Sequence, residues 1–100
     1  PAWEDAVDCA LFLIEARWTE PDRLAIHGDG RDGRVAGRAI TARPDLFAGA
    51  VLEDALLDVV RGIETAPADS PLAALGSPRT RTGVQELVSA SPYHHVRGGV

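Results

Sequence analysis

Several common residues and features are missing from this chain of 100 residues. It has no methionine and no lysine. Because lysine is absent, all 10 of its Lys and Arg positions are arginines, a bias from which no function follows. No apolar run approaches the roughly 20 residues of a transmembrane helix. The first residues lack the basic and apolar regions of a signal peptide. We therefore expect a cytoplasmic protein without a membrane partner.

The charge balance and the cysteine content exclude two further classes. With 15 acidic residues the net charge is −5, which argues against nucleic-acid binding, since that binding depends on Lys and Arg neutralising phosphates. Cys9 is the single cysteine and cannot form an internal disulfide. It lies in an apolar run, where we expect a buried free thiol. Because no initiator Met is present, we expect the chain to begin inside a longer protein.

The spacing of apolar residues predicts a small α/β unit. The predicted elements are a helix at 3–17, a buried strand at 23–27, a helix at 34–42 and a strand at 48–52, followed by helices at 55–62 and 82–89, a loop with short turns at 66–78, and an extended tail from Ser91. Strand, turn, helix and strand form a βαβ unit, whose strands should be parallel and adjacent.

Two parallel strands do not make a sheet of normal size. Parallel sheets continue laterally and are covered by helices on both faces. Residues 1–100 are therefore predicted to be the central fragment of a three-layer αβα domain, with the remainder of that domain as a partner.

The stretch between the first strand and its helix contains three glycines in the spacing Gly28-x-Gly30-x-x-Gly33. After a strand and before a helix, this spacing is the dinucleotide-binding fingerprint, in which a pyrophosphate lies on the helix N-terminus. Glu53 and Asp54 end the next strand, about where the acidic ribose ligand is expected. Against this interpretation, Asp29 and Asp32 place two negative charges where the pyrophosphate would lie. Nucleotide binding stays as an alternative.

A second interpretation accounts for more of the chain. Asp8-Cys9-Ala10, Leu13-Ile14-Glu15 and Thr19 to Ile26 resemble the segment before the nucleophile of the prolyl oligopeptidase and oligopeptidase B family of serine peptidases. Arg43-Pro44-Asp45-Leu46-Phe47 is similar to the family's RPDLF, Leu57-Asp58-Val59 to its VDVL, Gly76-Ser77-Pro78 to its GNP, and Ser91-Pro92-Tyr93 with Val96 to its SPYDNV. These matches keep their order from Asp8 to Val96, which is more specific than one glycine motif.

This resemblance implies an α/β-hydrolase fold and a serine peptidase that acts on short peptides, without a cofactor or a metal. The family's nucleophile elbow reads G-G-S-x-G-G and lifts its serine on a strained turn. The corresponding residues here are Gly28, Asp29, Gly30, Arg31, Asp32 and Gly33. Gly30 thus stands where the family has its serine, so no acyl-enzyme can form there. The backbone N–H of Arg31 would occupy the oxyanion-hole position, and the side chain of Asp32 is expected to distort the turn.

Other candidate nucleophiles and bases receive structural interpretations. The serines outside the turn are expected to be solvated or to cap helices; they are Ser70, Ser77, Ser89 and Ser91. His27 is expected to support the turn, and His94 and His95 to be polar loop residues, ahead of the family's acid and histidine. A site of His94 and His95 would need a third metal ligand, and none is evident.

Substrate specificity is not implied by the resemblance. The stretch Ser70 to Leu75 lacks the acidic and aromatic residues of oligopeptidase B, and no tryptophan lies where prolyl oligopeptidases stack one on proline. Trp3 and Trp18 lie upstream and are expected to be packing residues. The chain is predicted to be inactive by itself, either as a non-catalytic peptide-binding pseudoenzyme or as the product of a decayed gene.

Overall fold

The computed structural model describes residues 1–100 as four helices, two strands and four short 3₁₀ turns. The regular elements are α1 (Ala2–Glu15), β1 (Ala25–Asp29), α2 (Arg31–Ala42), β2 (Gly49–Glu53), α3 (Val59–Thr65) and α4 (Arg81–Ala90). The 3₁₀ turns are Pro21–Arg23, Pro44–Leu46, Pro71–Leu75 and Pro92–His95. Each turn begins with proline, because proline fixes φ near the helical value and the first N–H of a turn needs no partner.

The two strands are adjacent and parallel, as predicted. Their register runs from Ala25 opposite Gly49 to Asp29 opposite Glu53. The α/β fold class with parallel strands and flanking helices is thereby confirmed. The boundaries differ from those predicted, because β1 continues through residues 28–29 and α2 begins at Arg31 instead of residue 34. The glycine-rich stretch is therefore mostly strand and helix, with Gly30 alone between them.

The two faces of this sheet have different surroundings. Ile26 is packed against the core and Gly28 is buried, on the face where α2 lies. On the opposite face His27 pairs with Val51, and Val51 is 54% exposed. Gly49, on this same face, has open space beyond its Cα. The chain itself supplies the sheet and one helical layer.

The hydrophobic core lies between α1, α2 and the turn before β2. Its buried members are Val7, Ala10, Ala39 and Leu46, and Leu11 and Ile14 pack against them. Since the apolar positions of α1 recur every three or four residues, they form one face, which is buried against α2. The predicted apolar face of this helix is confirmed.

Three residues of this region lie differently from the prediction. Cys9 is exposed, because it is two positions from Val7 and so points away from the buried face. Trp18 follows α1 and is 78% exposed, so it is not a packing residue here. The helix ends at Glu15, and Arg17 has a φ of 62°, the left-handed conformation in which helices often terminate.

In the second half, side-chain caps set the helix starts. The Asp58 carboxylate accepts a hydrogen bond of 3.1 Å from the N–H of Arg61, so α3 begins at Val59 instead of residue 55. The Thr80 hydroxyl accepts one of 2.9 Å from the N–H of Gly83 at the start of α4. Both are the usual N-cap arrangement. The tail predicted to be extended instead forms the 3₁₀ turn Pro92–His95.

Ser91 joins three segments of this half. Its side chain is fully buried, accepts the N–H of Val59 at 3.0 Å and donates to the carbonyl of Leu57 at 3.0 Å. Nδ1 of His94 lies 2.8 Å from the same hydroxyl. The Ser91 hydroxyl thus contacts a backbone donor, a backbone acceptor and an imidazole nitrogen. Ser91 is therefore a structural centre and not the solvated or capping serine that was expected.

The chain exposes more surface than a compact monomer of its mass. Its accessible surface is 6519 Å², whereas a folded monomer of this mass exposes about 5,500 Å². No helix is both long and apolar enough to cross a membrane. Part of the excess surface lies on the uncovered sheet face and on large apolar side chains such as Phe12, which is 63% exposed.

Candidate functional site

A single residue, Gly30, connects β1 to α2. Its φ is 59° and its ψ is −119°, a conformation that a residue with a Cβ adopts only with strain. Its N–H donates to the carbonyl of Glu53 at 2.8 Å, and its carbonyl accepts the N–H of Arg34 at 3.2 Å. The turn is thus tied to the end of β2 and to the first turn of α2.

The neighbouring glycines allow close backbone approach. A Cβ at Gly28 would overlap the carbonyl oxygen of Asp32, and one at Gly33 would lie 2.7 Å from Cβ of Ala55. A Cβ at Gly30 would instead meet nothing within 4 Å. The turn therefore excludes side chains on both sides of Gly30, while a side chain at Gly30 itself would point into open space.

The first turn of α2 presents backbone N–H groups that the helix cannot satisfy. Arg31 is its first residue and Asp32 its second. The expected distortion by Asp32 does not occur, since this residue is exposed and helical. A carboxylate in the first turn also interacts favourably with the helix dipole.

An open cavity of about 710 Å³ lies beside this turn. Part of its wall is apolar and comes from α2, from the segment after β2 and from the 3₁₀ turn at 71–75. The larger apolar residues are Val35, Leu56, Pro71, Leu72 and Leu75. Its volume is in the range of small-molecule sites, about 300–1,000 Å³.

Four charged residues line this cavity, namely Arg31, Arg34, Asp32 and Asp54. Burial, and to a smaller extent repulsion from Arg31, lower the pKa of Arg34. Neither arginine takes part in an ion pair. The ion pairs of the chain lie elsewhere, at Arg23–Glu20, Arg43–Asp45 and Arg61–Asp58.

None of the three histidines lines the cavity. Nε2 of His27 lies 3.6 Å from a carboxylate oxygen of Glu53, on the uncovered sheet face. His94 is held by Ser91, and Nε2 of His95 donates to the carbonyl of Val88 at 2.9 Å. The chain has no cluster of three or more His, Cys, Asp or Glu that could hold a metal ion.

The serines considered as nucleophiles are also outside the cavity. The hydroxyl of Ser70 accepts the N–H of Leu72 at 3.3 Å, and that of Ser77 accepts the N–H of Arg79 at 3.2 Å. Ser89 is exposed on α4. No histidine and serine therefore come together at the turn.

Arg38 of α2 connects this helix to α4 and α1. It is buried, its Nε donates to the carbonyl of Ser89 at 2.6 Å, and its Nη1 donates to the Thr41 hydroxyl at 3.1 Å. The guanidinium lies 4.2 Å from the ring centre of Trp3, a cation–π contact. Trp3 is thus a packing residue, as predicted. Burial lowers the pKa of Arg38, and the charge of Glu4 partly opposes this effect.

The sequence prediction missed the cavity and its arginines. Arg31 and Arg34 are three residues apart, a spacing that places two side chains on the same helix face. That signal was present in the sequence. The apolar wall at 71–75 gave no comparable signal, because this stretch has no regular periodicity.

Comparison with known proteins identifies relatives along almost the whole chain. Residues 2–99 match the model of the prolyl oligopeptidase family. An uncharacterized peptidase of Sinorhizobium fredii is 34% identical over 98% of this chain and 14% of its own length. A prolyl endopeptidase of Dictyostelium discoideum is 30% identical over 59% of this chain and 8% of its own. A dual function macrocyclase-peptidase of Galerina marginata is 25% identical over 95% of this chain and 13% of its own.

The chain spans at most 14% of the length of these three relatives. The family match nevertheless covers all regular elements described above, from α1 to α4. The predicted resemblance is confirmed: the chain belongs to the prolyl oligopeptidase family.

Proposed function

We propose that this chain is a segment of a serine-oligopeptidase-type α/β-hydrolase domain that binds short peptides and does not cleave them at its elbow. Gly30 stands at the nucleophile position in this proposal. Acyl transfer requires an oxygen or sulfur that attacks the scissile carbonyl. Glycine offers only hydrogen at this place, so the covalent step has no nucleophile.

The observation that carries the proposal is the conformation of Gly30. A nucleophile elbow is a strained turn between a strand and a helix, with its central side chain exposed at the end of the sheet. Gly30 has a positive φ, follows β1 directly, and has open space at its Cβ position. The tight packing at Gly28 and Gly33 supports the same assignment.

The backbone N–H of Arg31 is the proposed oxyanion-hole donor. It belongs to the residue after the nucleophile position, which supplies one such donor in elbow sites. Its place in the first turn of α2 leaves it without a helical acceptor. In a protein without the nucleophile, this N–H is available to hydrogen-bond a peptide carbonyl.

The peptide partner and the larger domain are supported by two different surfaces. The cavity beside Gly30 combines apolar walls with charged groups, which suits a short peptide. The uncovered sheet face and the excess accessible surface suit contact with further parts of a hydrolase domain. We place the remainder of that domain on this face and along the open strand edges.

The proposal is tested with a mixture of fluorescent peptides of four to eight residues. Anisotropy should show saturable binding, and mass spectrometry should show intact peptides after prolonged incubation. Cleavage accompanied by a covalent acyl adduct would overturn the assignment of Gly30. If none of the peptides binds, the proposal that the chain binds peptides is wrong.

Two neighbouring alanines provide a matched pair of variants. Ala74 lines the cavity and Ala73 does not, although both are exposed in the same 3₁₀ turn. Ala74→Phe should weaken peptide binding by occupying the cavity, whereas Ala73→Phe should leave it unchanged. Equal effects of the two substitutions would place the peptide elsewhere.

A further inference from the structure

The cavity beside Gly30 contains two arginines for which the chain provides no ion-pair partner. Arg31 and Arg34 lie on one face of the first turn of α2, and both line the cavity. Neither guanidinium forms a side-chain hydrogen bond or an ion pair, whereas Arg43 forms both with Asp45. The two cavity arginines are therefore available to a ligand.

We infer that this cavity recognises a carboxylate group of a bound peptide, held by Arg31 and Arg34, with the adjoining apolar side chain against Leu72 and Leu75. This inference rests on the proposed function, because it names a chemical feature of the peptide bound at the same site. A guanidinium matches a carboxylate with two parallel N–H donors, and such charge-assisted bonds are stronger than neutral ones.

The electrostatics of the arginine pair favour an anionic ligand. Arg34 is partly buried, and both its burial and the charge of Arg31 disfavour its protonated form. An anion between the two guanidinium groups would offset both effects, since it interacts favourably with each charge. A ligand carboxylate would therefore provide the negative charge that no side chain of the protein places beside the two arginines.

Two acidic residues in the cavity repel a ligand carboxylate. Asp32 and Asp54 also line the wall, and both are exposed. Neither approaches a guanidinium closely enough to form an ion pair. Because solvent screens exposed charges, their repulsion of a ligand carboxylate is weaker than the attraction of a partly buried guanidinium.

The apolar wall supplies the second element of recognition. Leu72 and Leu75 come from the 3₁₀ turn opposite α2 and are partly exposed in the free chain. A carboxylate at a peptide C-terminus carries an adjacent side chain on the same Cα. An aliphatic or aromatic residue at that end could place both groups in the cavity together.

The test compares three forms of one labelled pentapeptide with the complete chain. The first has a free C-terminal carboxylate, the second a C-terminal amide, and the third an amide with glutamate as its last residue. The carboxylate forms should bind at least about tenfold more tightly than the plain amide, as expected when a charge-assisted hydrogen bond is lost. The first and third forms distinguish a terminal from a side-chain carboxylate.

Arginine variants show whether the preference comes from this cavity. In Arg34→Gln the preference for the carboxylate forms should fall severalfold through weaker binding of those forms, because Arg31 alone then holds the carboxylate. Arg79→Gln removes an exposed arginine outside the cavity and should retain the full preference. Circular dichroism of each variant establishes that it is folded.

The outcomes separate this inference from the proposed function. Equal binding of all three peptides by the original chain would overturn the carboxylate inference and leave peptide binding intact. An undiminished preference in Arg34→Gln would also overturn it. Failure of all three peptides to bind would overturn the proposed function itself.

Discussion

Replacing Gly30 with alanine tests the backbone conformation on which the site assignment depends. A Cβ at this position meets no atom within 4 Å, so the substitution creates no clash. The φ of 59° is nevertheless unfavourable for alanine, and such a conformation costs about 1–3 kcal/mol. Alanine also lowers the entropy of the unfolded chain, which returns about 0.4–1 kcal/mol. We expect Gly30→Ala to be destabilised by about 1–2 kcal/mol.

Substitutions at two other glycines serve as controls for the stability change of Gly30→Ala. Gly49 also has open space at its Cβ position and does not have a positive φ, so Gly49→Ala should gain about 0.4–1 kcal/mol. Gly28→Ala would force Cβ into the carbonyl of Asp32, and the required backbone shift should cost more than about 3 kcal/mol. These are three substitutions of the same kind with different expected signs or sizes.

Urea unfolding followed by circular dichroism measures all three variants. A change of about 1–2 kcal/mol moves the midpoint by roughly 0.5–1 M for a urea slope near 2 kcal/mol per M. A stabilised Gly30→Ala protein would refute the positive φ at the turn. A Gly28→Ala protein as stable as Gly49→Ala would refute the close approach of β1 and α2.

Three further predictions concern the remaining structure. Ser91→Ala leaves the buried N–H of Val59 without an acceptor, while the Leu57 carbonyl still accepts the N–H of Tyr93, so the substitution should cost about 1–3 kcal/mol in urea unfolding. Ser89→Ala, at an exposed position, should cost less than about 0.5 kcal/mol. Equal costs would refute the burial of Ser91. The hydrogen bond from Arg43 lowers the pKa of Asp45, so their contribution to stability is present at neutral pH and is lost as pH falls through the pKa of folded Asp45. In Arg43→Gln this pKa should rise toward its ordinary value in an NMR titration, and an unchanged value would contradict the contact. NAD at millimolar concentration should not raise the melting temperature, whereas a ligand at a hundred times its Kd adds about 2.7 kcal/mol and would be seen easily.

Local patterns in the sequence were sufficient to predict the βαβ unit. Two apolar runs on either side of a segment with helical spacing correctly gave parallel strands, and the apolar face of α1 was also predicted correctly. The predicted bounds failed at the glycines, because glycine usually interrupts regular structure. Here Gly28 lies within β1, and the position requires glycine because α2 approaches it too closely for a side chain. This tertiary contact is not part of the residue's intrinsic propensity.

Long-range contacts account for the other differences. Ser91 looks like an ordinary loop residue, and its burial depends on Leu57 and Val59, more than 30 residues earlier in the chain. The cavity wall at residues 71–75 likewise comes from a stretch without periodicity. By contrast, the position of the turn between the first strand and its helix was predicted from the sequence, because its glycines are close together in the chain.

The most direct test of the proposed site is reaction with a fluorophosphonate probe, which forms a covalent bond with an activated serine. Intact-protein mass spectrometry of the complete chain, after incubation with excess probe, should show no added mass, because Gly30 offers no nucleophile and no serine lines the cavity. A trypsin sample labelled in parallel shows that the probe is active. Stoichiometric labelling of this chain at any residue would contradict the proposal that it binds peptides without cleaving them.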